Sequence, residues 1–400
     1  MRILYAVQRY GADIVGGSEA ACRMFAEQLV GRGHDVSVLT SCAKSYVDWA
    51  DYYEPGVSTI RGVTVHRLPS VGPRRVEVFG PLDQWMHSGP HPVPLASQQR
   101  WTKAMGPDLV GQRRWLVDNV RGFDVAIFMT YLYGTTTRGL PVAAGMVPTI
   151  LQPTAHDEPP FRVPIMATLF RQPDAFLFFT PEERETVERQ FRIETFGAVT
   201  GIGIDLVEAD RPANFRESVG LGDRPYILYA GRFDHMKGAV ELSDFFRAYK
   251  RRNPSDLALV YVGEQLNPVD PHPDIFTVGF VDEAMKRNAL AGALALAQPS
   301  YFESFSIVLC EAWVQRRPAI VQARSPVLAG QARRSGGALP FAGYAEFEAA
   351  IDLLLDQPHL ADELGNRGRR YVEDRYRWDV VLDGVEETIS TAIRQFQARR

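Results

Sequence analysis

Short runs of strand-forming residues recur along this chain, and most are followed by an amphipathic stretch before the next run begins. That alternation constrains the fold more than anything else in the sequence. Strands joined through helices pair in parallel, and a parallel sheet is covered by helices on both faces. The opening unit is the clearest. A strand at residues 3–7 leads into "QRYGADIVGGSEA" and then into a helix expected over residues 19–32, with Ser18 as its N-cap and Gly33 as its stop. A strand at 36–40 follows directly, so a βαβ unit begins the chain. Further strands are expected at 63–68, 124–129, 149–152 and 175–179. Thr180-Pro181-Glu182-Glu183 then reads as a capped helix start, the helix running through Glu188.

A second series starts after residues 206–225, which are rich in charge, Gly and Pro and read as a linker. Its strands are expected at 226–230, 257–262, 276–278, 293–297 and 319–321. With 400 residues, more than one hydrophobic core usually organises, the chain divides into two αβ modules. In such sheets ligands sit beyond the carboxyl ends of the strands, so the loops that follow strands are where chemistry belongs.

Composition closes off several classes. A net charge of -4 argues against nucleic acid as the main partner. Cys22, Cys42 and Cys310 have no metal-ligand spacing and fit a reducing compartment better than a disulfide framework. No run of about 18 apolar residues reads as a membrane span, and the expected location is cytoplasmic. Between Arg61 and Arg121 nine Arg and Lys face four Asp and Glu, a local +5 that leaves -9 elsewhere. A solvated basic region is the plain reading; the sharper one is a patch for an anionic acceptor or peripheral contact with an anionic inner membrane face. Residues 71–107 fit the alternation poorly. They hold Trp85, Trp101, His87, His91 and many prolines, and read as a lid or binding loop. The histidine spacings, His66 included, match no metal pattern.

Several strand-end loops carry candidate binding groups. Gly16-Gly17-Ser18-Glu19 stands where the first helix begins, where free N–H groups favour anions, although a tight turn also wants glycine. No third glycine makes a dinucleotide fingerprint here, or in "GIGID" at 201–205. In "GRFDHMKG", Arg232 and Lys237 lie between Gly231 and Gly238; two cations there suit a diphosphate, and two exposed surface cations are the plain alternative. "YVGE" places Gly263 at another strand end, and "VGFVDE", after a further strand, is expected to present backbone groups to a nucleobase, with Phe280 among the donor-binding residues. "FESFSIVLCE" sets Glu303 before an apolar run and Glu311 eight residues on. Either both are solvated, or both face a polar ligand. In the second reading Ser304 or Ser306 caps the helix, N–H groups near Phe305, Ser306 and Ile307 meet phosphate or sugar, and Glu311 accepts from a ribose.

Taken together, the Gly16-Gly17 loop, the Arg232/Lys237 loop and the Glu-x7-Glu pair Glu303/Glu311 resemble the retaining glycosyltransferases of family 4, with the GT-B fold. "GIGID" before the linker, "RRPAIV" after the motif helix and "YRWDVVLDGVEETI" near the C-terminus continue the likeness over nearly the whole chain. The resemblance implies an α/β protein of two Rossmann-like domains facing across a cleft: residues 1–205 on the acceptor side, 206–375 binding the nucleotide sugar, and 376–400 a helix crossing back to the first domain. It implies transfer of a sugar from a nucleoside-diphosphate sugar to a glycan, lipid-linked or small-molecule acceptor, with no cofactor and no metal. Arg232 and Lys237 would hold the diphosphate, Glu303 the donor sugar near its anomeric carbon, and Glu311 the ribose. His156 in "QPTAHDEPP" matches a histidine that touches the donor sugar. A double displacement with Glu303 as nucleophile and a front-face route both stay open. Ser304 departs from the glycine many members have there, narrowing the room around the donor. Acceptor binding is expected from the basic region, Arg113 and Arg114 in particular. A nucleotide-sugar-binding protein without turnover and a nucleotide-sugar epimerase are the alternatives.

Overall fold

The computed structural model describes every residue except 15, 89–91, 234–236, 266–268 and 400. The His91 considered above and part of the "GRFDHMKG" loop lie outside the described residues. The chain divides into two compact units, Met1–Gly203 with Trp378–Arg400, and Ile204–Arg377.

In the first unit the strands are β1 (Arg2–Ala6), β2 (Asp35–Ser41), β3 (Gly56–Ile60), β4 (Val63–Leu68), β5 (Val125–Met129), β6 (Thr149–Gln152), β7 (Ala175–Phe178) and β8 (Gly197–Val199). Their order in the sheet is β3-β4-β2-β1-β5-β6-β7-β8, parallel throughout except for the antiparallel β3–β4 hairpin. The central strands are buried along their length, which is why they read as continuous apolar runs. In the second unit β9 (Tyr226–Ala230), β10 (Ala258–Val262), β11 (Ile275–Gly279), β12 (Ala295–Gln298), β13 (Ala319–Gln322) and β14 (Ala338–Phe341) form an all-parallel sheet ordered β11-β10-β9-β12-β13-β14. Each sheet reverses its strand order once, between β1 and β5 and between β9 and β12. Those are the places where the loops at the carboxyl ends part and leave room for a ligand.

Three expectations are corrected. Residues 71–107 are not an irregular loop: helices span Val76–Ser88 and Leu95–Met105, and the indole of Trp101, fully buried, donates to Asp83 Oδ1 at 2.7 Å. The prolines hid them, and Pro81 sits inside the first of these helices. The linker contains a helix, Pro212–Ser218, because Phe215 turns inward against Tyr226. The first helix begins at Gly17 with Gly16 as its N-cap; Ser18 lies inside it and donates to Glu19 Oε2 at 2.8 Å instead of capping.

The helix Trp378–Ala398 groups with the first unit although the whole of the second unit's sequence separates them. Its apolar face (Val381, Leu382, Val385, Ile389) is buried, and the Trp378 ring meets Phe25 edge-on at 5.6 Å. Arg32 donates to Asp383 and Glu386 at 2.6 and 2.9 Å, and His34 pairs with Glu386 at 2.8 Å. Among the described residues, no helix is long and apolar enough to cross a membrane.

Candidate active site

The second unit holds both Glu303 and Glu311. Glu303 lies in the loop after β12, and Lys237, in the loop after β9, donates to it at 2.9 Å and to the Phe302 carbonyl at 3.3 Å. The two loops meet because residue 238 is glycine. Its φ is +70°, and a Cβ there would sit 2.5 Å from the Pro299 carbonyl oxygen. Glu303 is only 11% exposed, so its lysine answers the cost of burying a carboxylate. Glu311, on the helix Ile307–Val314, pairs with Lys286 at 2.8 Å, and Lys286 also reaches Glu283 at 2.8 Å. Burial pulls the Lys286 ammonium down, but the two carboxylates outweigh it and its pKa stands above the ordinary value. Neither glutamate is simply solvated.

Ser306 occupies the N-cap position of that helix in a left-handed conformation, φ 72°, an uncommon state for a residue with a Cβ. Its hydroxyl accepts from Gln298 Nε2 at 2.8 Å and makes no capping bond, contrary to expectation. The Gln331 amide donates to the Phe305 carbonyl, so both sides of the turn are held by buried glutamines. The turn thus begins a helix whose first N–H groups, from Ile307 onward, are available to an anion. Arg232 follows β9, and its carbonyl accepts from the Tyr229 hydroxyl at 2.7 Å. The amides of Gly231 and Gly263 bond the Val262 and Gly279 carbonyls at 2.9 and 2.8 Å, so these glycines tie neighbouring strand ends together. Phe280, just beyond β11, is 72% exposed.

In the first unit the Gly16-Gly17 turn is built over a buried ion pair that sequence reasoning missed. Arg9, in the loop after β1, donates Nε and Nη2 to Glu19 Oε1 at 2.9 and 2.6 Å and Nη1 to the Lys44 carbonyl at 2.7 Å. A Cβ on Gly16 would lie 2.4 Å from Glu19 Oε2, so any larger residue must push that carboxylate out of its place against Arg9. Gly16→Ala is therefore expected to displace Glu19 and lower stability by about 2–4 kcal/mol, read by chemical denaturation. An unchanged midpoint would contradict that packing.

His156 follows β6 and is held in stages. Its Nε2 lies 3.2 Å from Glu158 Oε2, and Glu158 Oε1 accepts from the Tyr131 hydroxyl at 2.7 Å. The backbone before it is pinned by Glu183, whose fully buried carboxyl group accepts from the Ala155 and Phe179 amides at 2.7 Å each. Thr154, beside Ala155, has a φ of 52°, a strained value that this clamp sustains. The sequence marked Glu183 as part of a helix cap and said nothing of this second task.

Arg113 and Arg114 open the helix Gln112–Asn119 and are exposed; Arg114 pairs with Asp118 at 3.5 Å. Val110 donates to the Pro69 carbonyl at 2.8 Å, which places this helix start beyond the carboxyl end of β4. Arg74 is occupied elsewhere, packed over Trp49 and Phe79 at 5.4 and 4.6 Å.

Two family models match the chain: "Glycosyl transferases group 1" over residues 210–371 and "Glycosyl transferase 4-like domain" over residues 16–195. An uncharacterised glycosyltransferase of Methanocaldococcus jannaschii is 21% identical over 417 residues, covering 98% of this chain and 97% of that protein. Among solved structures, a sucrose-phosphate synthase from Thermosynechococcus elongatus is similar with a TM-score of 0.69 at 18% identity, covering 100% of both chains. The Anabaena protein HepE in complex with UDP is similar with a TM-score of 0.70 at 13% identity, covering 98% of this chain and 100% of that one.

Proposed function

We propose, from the premise that the chain belongs to the group 1 glycosyltransferases of GT-B fold, that it moves a sugar from a nucleoside-diphosphate sugar to a hydroxyl acceptor with retention and without a metal. The observation that carries this reading is the convergence of Lys237 and Glu303 from the loops after β9 and β12, where the second sheet reverses its order. Arg232 and Lys237 hold the diphosphate and stabilise charge on the departing oxygen. The helix start at Ser306 and Ile307 adds N–H groups to the same phosphates. Glu303 takes the hydroxyls of the donor sugar, Glu311 shares its carboxylate between Lys286 and the ribose, and exposed Phe280 stacks on the base. His156, oriented by Glu158, contacts the donor sugar. That HepE is seen with UDP supports a nucleotide donor by analogy of fold.

The test is donor hydrolysis without acceptor, over a panel of UDP-, GDP- and ADP-sugars, reading free nucleoside diphosphate. Release from one donor, lost in Glu303→Ala, supports the reading. Absence of both release and calorimetric binding across the panel defeats it. Donor binding without transfer in a broad acceptor screen would instead identify a binder without turnover.

Arg113 and Arg114 are assigned to the acceptor, which we take to be a glycan, lipid-linked or small molecule. Arg113→Ala/Arg114→Ala is expected to raise the acceptor KM about tenfold and leave donor affinity unchanged. Unaltered acceptor kinetics would move acceptor binding to another loop.

A further inference from the structure

The second unit has a cavity that the proposed reaction does not use. It holds about 360 Å³ and is lined by Pro212, Pro225, Leu294, Arg216 and Arg317, with the small residues 291–293 as its back wall. Pro225 immediately precedes β9, Leu294 immediately precedes β12, and Arg317 lies just before β13. The cavity therefore opens at the amino ends of the strands. The loops of the candidate active site follow the same strands at the opposite edge. Five residues of β9, at about 3.3 Å each, set the two roughly 16 Å apart.

Both cations in its wall lack a countercharge. Arg216 is fixed by carbonyls alone: Nη1 donates to Gly222 and Arg224 at 3.2 and 2.7 Å, and Nη2 to Gly292 at 2.9 Å, while its plane lies over the Tyr226 ring at 5.0 Å. The Arg317 Nε is buried and has no hydrogen-bond partner. No carboxylate among the described residues pairs with either guanidinium. Arg9, Arg138 and Arg369 find acidic partners, whereas Arg67 and Arg74 share with these two the lack of an acidic partner among the described residues, but pack over aromatic rings of the first unit. Guanidinium charge left without a carboxylate is uncompensated, and an anion in this cavity would neutralise it.

We propose that this cavity is a binding site for a small phosphomonoester, distinct from the donor site. Two uncompensated guanidinium groups suit a dianion, which arginine grips through paired N–H groups. The proline and leucine walls, and a volume within the range of metabolite pockets, suit an organic body attached to it.

The experiment is calorimetric titration of the full chain with glycerol 3-phosphate, inorganic phosphate and glycerol, in parallel on Lys237→Ala, Arg317→Ala and Arg317→Lys. Glycerol 3-phosphate should bind saturably at millimolar concentration or below, more tightly than inorganic phosphate, with no binding of glycerol. Arg317→Ala should weaken it at least tenfold, Arg317→Lys should recover part of the loss, and Lys237→Ala should leave it unchanged. Among the described residues the Arg317 side chain makes no hydrogen bond or ion pair, so its variants should keep the wild-type melting temperature. Three results would overturn the proposal. One is no saturable binding to the wild type. The second is loss in Lys237→Ala with Arg317→Ala unaffected, which puts the phosphate in the donor site. The last is inorganic phosphate binding as tightly as the ester.

Discussion

Lys237→Ala lowers kcat for sugar transfer by about 10²–10³-fold, the loss that follows removal of one preorganised group at a developing anion. The measurement is steady-state release of nucleoside diphosphate with the donor identified by hydrolysis. Magnitude separates this role from the ordinary one. Lys237 is 35% exposed and its partner Glu303 11%, so an ion pair that merely tidied the surface would be worth about 1 kcal/mol or less. Such a pair would change kcat by no more than about fivefold. A loss that small would remove Lys237 from the leaving group and return it to the solvated cation that sequence alone also allowed.

Glu183 gives the second large effect, on stability. Burial pushes its carboxyl from 4.5 up to about 8, against the pull of backbone amides from Phe179, Ala155, Thr180 and Thr154. The folded state therefore holds a proton that the unfolded chain has released over the window from about pH 4.5 to about pH 8. Stability from this group is full below the lower value and falls as pH rises through the window, by roughly 3–5 kcal/mol in all. The melting temperature of the wild type should drop over this range by on the order of 10 °C, and Glu183→Gln, which cannot titrate there, should lack that component of the slope. Identical pH profiles for the two proteins would show that the four amides keep the carboxylate ionised throughout.

The central strands were legible because a sheet covered on both faces leaves the same apolar mark on every strand. Three of the four edge strands leave none, β11 being the exception. The strand Gly56–Ile60 is mostly exposed and pairs antiparallel, Gly197–Val199 has three residues, and Ala338–Phe341 carries a proline that only an edge tolerates. The candidate site was readable as positions after strands, in a resemblance spread over several weak motifs. Its partners were not. Lys286 answers Glu311 from 25 residues away, and Glu183 reaches the Ala155 amide from 28 residues away; neither pairing has a local pattern. The proline-rich stretch shows the reverse error: Trp101 reads as part of a lid or binding loop, yet it packs a helix pair.

The helix that returns to the first unit fixes an order of maturation. Residues 204–377 form an unbroken stretch, so the second unit is whole as soon as its 174 residues have emerged, counting 377 minus 203. The first unit begins earlier but waits for Trp378 to reach Phe25 and for Asp383 and Glu386 to reach Arg32. At about 5–20 residues per second that wait lasts roughly 10–35 s. During it the nascent amino-terminal sheet exposes the apolar strip that the returning helix will cover. The half of the enzyme translated first is thus the last to close, and is the half a ribosome-associated chaperone would have to guard.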